Sequence, residues 1–125
     1  MAVAHSANAN VLTFKAGGAI SALHAVKYSA VDTVVIATAT NATGIYIGED
    51  DAASGDYISV CVAGPCKAFC DGTSAITAGM TLAPDASGHL IKDVTATHVV
   101  LATAMEDLAS GTAVIEVNVN GPVSV

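Results

Sequence analysis

The 125-residue sequence predicts an all-β fold, a compact barrel or sandwich. Three observations predict it. Most segments alternate apolar and polar residues with period two. Turn residues recur about every 8–15 positions, as in small β domains. Thr and Val are frequent, and their branched Cβ suits a pleated surface. The length fits one domain of about 100–200 residues, with residues 1–10 as a flexible N-terminal arm and residues 11–125 as the β domain.

The clearest strand is Val114 to Asn120. Ile115, Val117 and Val119 alternate with Glu116, Asn118 and Asn120, giving one buried and one wet face. Tyr57 to Val62 repeats the pattern, with Ile58, Val60 and Val62 on one face and Tyr57, Ser59 and Cys61 on the other. Further strands are expected at Val11–Lys15, Ile20–Tyr28, Thr33–Thr38, Ile45–Gly48, Pro65–Cys70, Met80–Leu82, His89–Lys92 and His98–Met105. Gly17-Gly18, Ser54-Gly55, Asp71-Gly72, Ser87-Gly88 and Ser110-Gly111 supply the turns between them. Asp85-Ala86-Ser87-Gly88 reads as a hairpin loop. At most one short helix fits, over Ile20–Val26, where Ile20, Leu23 and Val26 have helical spacing. A single helical turn fits Ser74–Gly79.

The chain contains an internal echo. Asp50-Asp51-Ala52-Ala53-Ser54-Gly55 leads into Tyr57–Val62 and ends at Gly64-Pro65; Glu106-Asp107-Leu108-Ala109-Ser110-Gly111 leads into Val114–Asn120 and ends at Gly121-Pro122. The offset is 56 residues before the strand and 57 after it. An acidic loop, a small-residue turn and a half-buried strand are used twice, which suggests two pseudo-equivalent halves of one barrel. A solenoid needs about three or more units.

Composition excludes several functions. Hydrophobic residues make up 53% of the chain, but 25 Ala and 16 Val dominate them, so large core side chains are scarce. A thin core of this kind gains from subunit contacts. Eleven acids face four Lys and no Arg, for a net charge of -7. That charge repels phosphate, and no guanidinium fork exists for phosphate or guanine. Nucleic-acid binding and a polybasic membrane anchor are therefore not expected. No apolar run approaches the roughly 18 residues that span a bilayer. Met1 to Asn10 lacks the basic and apolar regions of a signal peptide, which points to synthesis in a cytoplasm. The sequon Asn41-Ala42-Thr43 carries little weight in that setting.

Catalytic signatures are missing. The sequence has no G-x-S-x-G elbow, P-loop or dinucleotide fingerprint. His5, His24, His89 and His98 form no paired-histidine motif, and single histidines beside strands are usually rim residues. Asp50, Asp51, Glu106 and Asp107 could serve a paired-carboxylate glycan hydrolase, but acids in loops ahead of turns are ordinarily solvated charge. Cys61, Cys66 and Cys70 match no zinc-finger spacing, even with His89 added. On one strand Cys66 and Cys70 would stand about 13 Å apart, too far for a bridge. Cys61 and Cys66 face each other if Ala63-Gly64 is a hairpin loop, and are too far apart if Gly64-Pro65 is a bulge in a long strand. Reduced thiols fit the expected compartment. No catalysis, cofactor, metal or small-molecule substrate is expected.

Several stretches resemble the head-decoration (capsid cement) proteins of tailed bacteriophages. They are Leu23-His24-Ala25-Val26-Lys27-Tyr28, Thr33–Thr38, Gly44-Ile45-Tyr46-Ile47-Gly48, Asp51-Ala52-Ala53-Ser54-Gly55-Asp56 with the strand to Gly64, and Ile76-Thr77-Ala78-Gly79-Met80-Thr81-Leu82 leading to Asp85-Ala86-Ser87-Gly88. The resemblance runs from about Val11 to Gly121. It implies a small β-barrel or β-tulip-like subunit, a homotrimer on the outer surface of an icosahedral head, the major capsid protein as partner, and no catalytic residues. Capsid-contacting N-terminal arms recur in that family, so Ala2, Val3, Ala4, His5, Asn8 and Asn10 are the expected contact residues. The alternatives are a tail or baseplate β-module, a surface adhesin, or the small hydrolase already described.

Overall fold

The computed structural model describes residues 9–92 and 99–124. Nine strands form it: β1 (Asn10–Ala16), β2 (Ala25–Ala30), β3 (Thr33–Ile36), β4 (Gly44–Tyr46), β5 (Tyr57–Asp71), β6 (Thr81–Pro84), β7 (Leu90–Lys92), β8 (Val99–Ala104) and β9 (Thr112–Ser124). The all-β expectation holds, and the described residues contain no helix. Over Ile20–Val26 the backbone does something else. Ile20 bridges to Ala52, Leu23 turns left-handed at φ 62°, and β2 starts only at Ala25. An α-helix cannot contain a left-handed residue. Ser74–Gly79 is likewise a bend, a bridge at Ile76 and a turn.

Strand order closes the sheet twice. β1, β3, β2, β4 and β5 form one circuit, because β1 also pairs with β5. β5, β7, β6, β8 and β9 form a second, because β9 also pairs with β5. Each closure removes the free edges that an open sheet would expose. The echo in the sequence therefore builds two five-stranded barrels sharing one strand, rather than two halves of a single ring.

Across the β2–β3 and β6–β7 pairs the repeat holds residue by residue. Val26↔Ile36, Lys27↔Val35 and Tyr28↔Val34 in the first barrel recur 56 positions on as Leu82↔Lys92, Ala83↔Ile91 and Pro84↔Leu90. The bridge Ile20↔Ala52 recurs as Ile76↔Leu108. The acidic loops do more than carry charge to water. The Asp51 carboxylate accepts the Ala22 N–H at 2.9 Å, and the Asp107 carboxylate accepts the Ala78 N–H at 2.8 Å. Each acid thus fixes the turn that opens its own barrel's second strand.

β5 explains how the barrels join. The sequence places separate strands at Tyr57–Val62 and Pro65–Cys70; the structure fuses them. The first half pairs with β1 and β4, the second with β9 and β7. Gly64 sits at the crossing with φ +96°, a region that favours glycine because no Cβ is present to clash. Two cores flank this crossing. Phe14, Ile20, Val26, Val34, Ile58 and Val60 fill the first barrel. Ala68, Cys70, Leu82, Leu90, Leu101, Ile115, Val117 and Val119 fill the second, and that cluster also takes in Ala25, Ile45 and Cys61 from the outside of the first. Main-chain bonds add to the contact: Phe69 N–H donates to Leu23 at 2.9 Å, and Ala25 N–H donates to Gly88 at 2.8 Å.

Candidate interaction surface

The barrel junction shapes a recess in the surface. It is an open groove of about 630 Å³. The outer face of β5 and β9 contributes Pro65, Lys67, Val114 and Glu116; the first barrel contributes Val11, Leu23, Ile47 and Glu49. Lys67 and Glu116 lie directly opposite each other in the strand register. The floor is mixed apolar and charged, as an adaptable contact surface would be.

The N-terminal segment meets the domain at this groove. Ala9 lines it and packs half-buried against the second core. Asn10 is exposed and opens β1 opposite Ala63, with a register shift before Val11. Of the residues expected to contact a capsid, Asn10 is therefore a strand residue at the mouth of the groove. Ala2, Val3, Ala4, His5 and Asn8 lie outside the described residues.

A second surface lies at the β2–β3 turn. Val31 is 88% exposed and Tyr57 is 77% exposed. Lys15 stands between their strands, paired with Thr33 on one side and Tyr57 on the other. Tyr28 is also exposed and packs edge-on against Phe14, ring centres 5.3 Å apart. Large apolar groups left this bare attract a partner surface. No period-two argument finds them, because Val31 is a turn residue and Tyr57 sits where a polar outer-face residue is expected.

The thiols are free. Gly64 is a kink in a long strand; the Cys61 thiol donates to the Ala63 carbonyl at 3.3 Å and lies within reach of Cys66. The left-handed Gly64 kinks the continuous strand between the two thiols. The Cys66 thiol is pushed up by its interaction with Cys61 and by burial, while that same interaction lowers Cys61. Burial, with Glu106 nearby, pushes Cys70 up to about 12, so it stays a neutral thiol at neutral pH.

The histidines and acids also find places. His24 and His89 pack against Phe69, with ring centres 5.1 Å from it in each case. A His24 ring N–H donates to the Ala22 carbonyl at 2.8 Å. His5 and His98 lie outside the described residues. The four acids considered for hydrolysis divide between the barrels, with Asp51 and Asp107 holding equivalent turns. Burial and the charges of Asp50, Asp56 and Asp51 raise the Tyr46 phenol above its ordinary value, and its hydroxyl donates to the Asp50 carbonyl at 2.7 Å.

No protein-family model matches the sequence, and no curated protein matches it. Among solved structures, the chain is similar to the N base of the head fiber gp8.5 of bacteriophage phi29. The TM-score is 0.64 at 17% identity, over 94% of this chain and 99% of that one. At this identity it is a likeness of fold.

Proposed function

We propose that this chain is a bacteriophage head decoration protein. It binds the outer surface of the icosahedral head, contacts the major capsid protein, bridges neighbouring capsomers and stabilises the shell. The single observation that carries this reading is the fold shared with a phage head-fibre base over 94% of the chain. The family resemblance of Val11 to Gly121 supports it independently. So does the composition: a net charge of -7 without Arg suits a protein-facing role and not DNA.

The mechanism is adhesion without bond-making. The protein acts as a homotrimer, whose closed symmetry lets a thin domain bury more apolar surface. Three docking sites on one rigid body multiply weak single contacts. The N-terminal segment, rooted at the inter-barrel groove, contacts the capsid; if it adds to a sheet edge, main-chain hydrogen bonds supply affinity independent of charge. The protein is made in the host cytoplasm and ends on the virion. It needs no cofactor, membrane or small-molecule substrate.

Cosedimentation with heads lacking the protein tests this. The full chain should pellet with heads and saturate. Deletion of residues 2–8 should weaken binding at least about tenfold, equivalent to about 1.4 kcal/mol, while mass measurement still reports a trimer. Failure of the full chain to pellet rejects the function; undiminished binding of the deletion rejects the arm.

A further inference from the structure

The three side chains that close the β6–β7 hairpin onto the end of β5 have metal-ligand chemistry. Asp71 ends β5, while Asp85 and His89 flank the hairpin loop. One donor atom from each lies within 4.8 Å of the other two. His89 Nδ1 is 3.3 Å from Asp85 Oδ2. Two ligands of a tetrahedral zinc ion, each bonded at about 2.0–2.1 Å, stand about 3.3–3.4 Å apart. Both side chains are about one-quarter exposed, so an ion can reach them from solvent.

The remaining contacts favour this geometry. Asp85 Oδ1 is occupied by the Ser87 and His89 N–H groups, which fixes the carboxylate and leaves Oδ2 facing the imidazole. Asp71 Oδ1 accepts the Thr73 N–H and hydroxyl, which fixes the second carboxylate. The His89 ring is wedged against Phe69 and against His24, 4.9 Å away.

The first barrel provides an internal comparison. The register Cys70↔Leu90 matches Ala16↔Val34, so the same three places in the first barrel hold Gly17, Ser29 and Thr33. They are neighbours as well: Thr33 and Ser29 both approach Gly17. The fold brings these positions together in both barrels without needing ligands to do so. Only the second barrel carries two carboxylates and an imidazole there.

We propose that Asp71, Asp85 and His89 form a binding site for a divalent transition-metal cation of the Zn2+ type. Two oxygens and one imidazole nitrogen suit Zn2+ better than Ca2+, which prefers oxygen ligands throughout. The ion would tie the end of β5 to the hairpin, whose Gly88 carbonyl already accepts a main-chain bond from the first barrel. The cation would thereby stiffen the junction.

Thermal unfolding of the full chain with excess ZnCl2 or CaCl2 tests it. Zn2+ should raise Tm by about 5 °C or more, with Ca2+ giving clearly less. The double variant Asp71→Asn with His89→Gln keeps polar groups at the turns and should lose the shift. Ser29→Ala in the first barrel should keep it, and so should Cys61→Ser with Cys66→Ser, which removes the competing thiols. Nitrogen NMR of His89 should show its ring shift on adding Zn2+, a signature that stability alone would not produce. No Tm rise and no His89 shift would overturn the proposal. So would a rise that survives the Asp71/His89 double variant, or one that disappears with the thiols.

Discussion

The two barrels share a backbone plan and differ most where they touch. In the first, Ala25, Ile45 and Cys61 form a row across β2, β4 and β5, and all three are fully buried. In the second, the corresponding row is Thr81, Thr103 and Asn118 across β6, β8 and β9. Those residues are exposed or half-buried, and Thr103 accepts a hydrogen bond from Asn120 at 2.8 Å. The strand geometry is the same in both rows. One is covered by the neighbouring barrel and is apolar; the other faces water and is polar. A duplicated fold can thus keep its backbone register while a few outward side chains decide where one copy ends and the next begins.

The sharpest way to break this comparison is Gly44→Ala. A Cβ there would meet the Cys61 carbonyl oxygen at 2.4 Å and Val60 Cγ1 at 2.8 Å. The corresponding residue of the second barrel is Ala102, already buried with a Cβ in place. Gly44→Ala should cost about 3 kcal/mol in urea unfolding. Ala102→Gly should cost about 1–2 kcal/mol, from backbone freedom and one lost methyl.

Exchanging the two rows comes next. Ile45→Thr puts a hydroxyl and a void into the junction core and should cost about 2–4 kcal/mol. The converse, Thr103→Ile, changes an outward position and should stay within about 0.5 kcal/mol. Equal costs for the two would mean that the junction is not a packed core.

The smallest effects should be symmetric. Asp51→Ala and Asp107→Ala each remove one carboxylate acceptor from an equivalent turn N–H. Each should cost about 0.5–1.5 kcal/mol, and the two should agree within about half a kcal/mol. A large difference would show that the repeat is geometric only.

Much of the fold was legible because a one-sided strand writes its period into the sequence. Ile115, Val117 and Val119 are buried as their alternation requires, and the Asp85–Gly88 hairpin closes as its loop residues imply. The junction was not legible, for a physical reason. At Val60 and Cys61 successive side chains, on opposite faces of β5, are both buried, one in each core. Alternation assumes one wet face, and here neither face is wet. Leu23 hides a turn in the same way, since a left-handed backbone normally announces itself with Gly, as Gly79 does 56 residues later. The repeated Gly64-Pro65 and Gly121-Pro122 pairs were the available clue to the crossing. The groove, the Cys61–Cys66 contact and the Asp71/Asp85/His89 cluster all depend on long-range pairings that single-strand patterns do not contain.

The central claim is that this molecule binds to a phage head. Phage heads lacking this protein can be mixed with the pure protein and imaged by electron cryomicroscopy. The account predicts added density outside the shell, in repeated copies over sites where capsomers meet. Bare heads at saturating protein, or density confined to the tail, would contradict it.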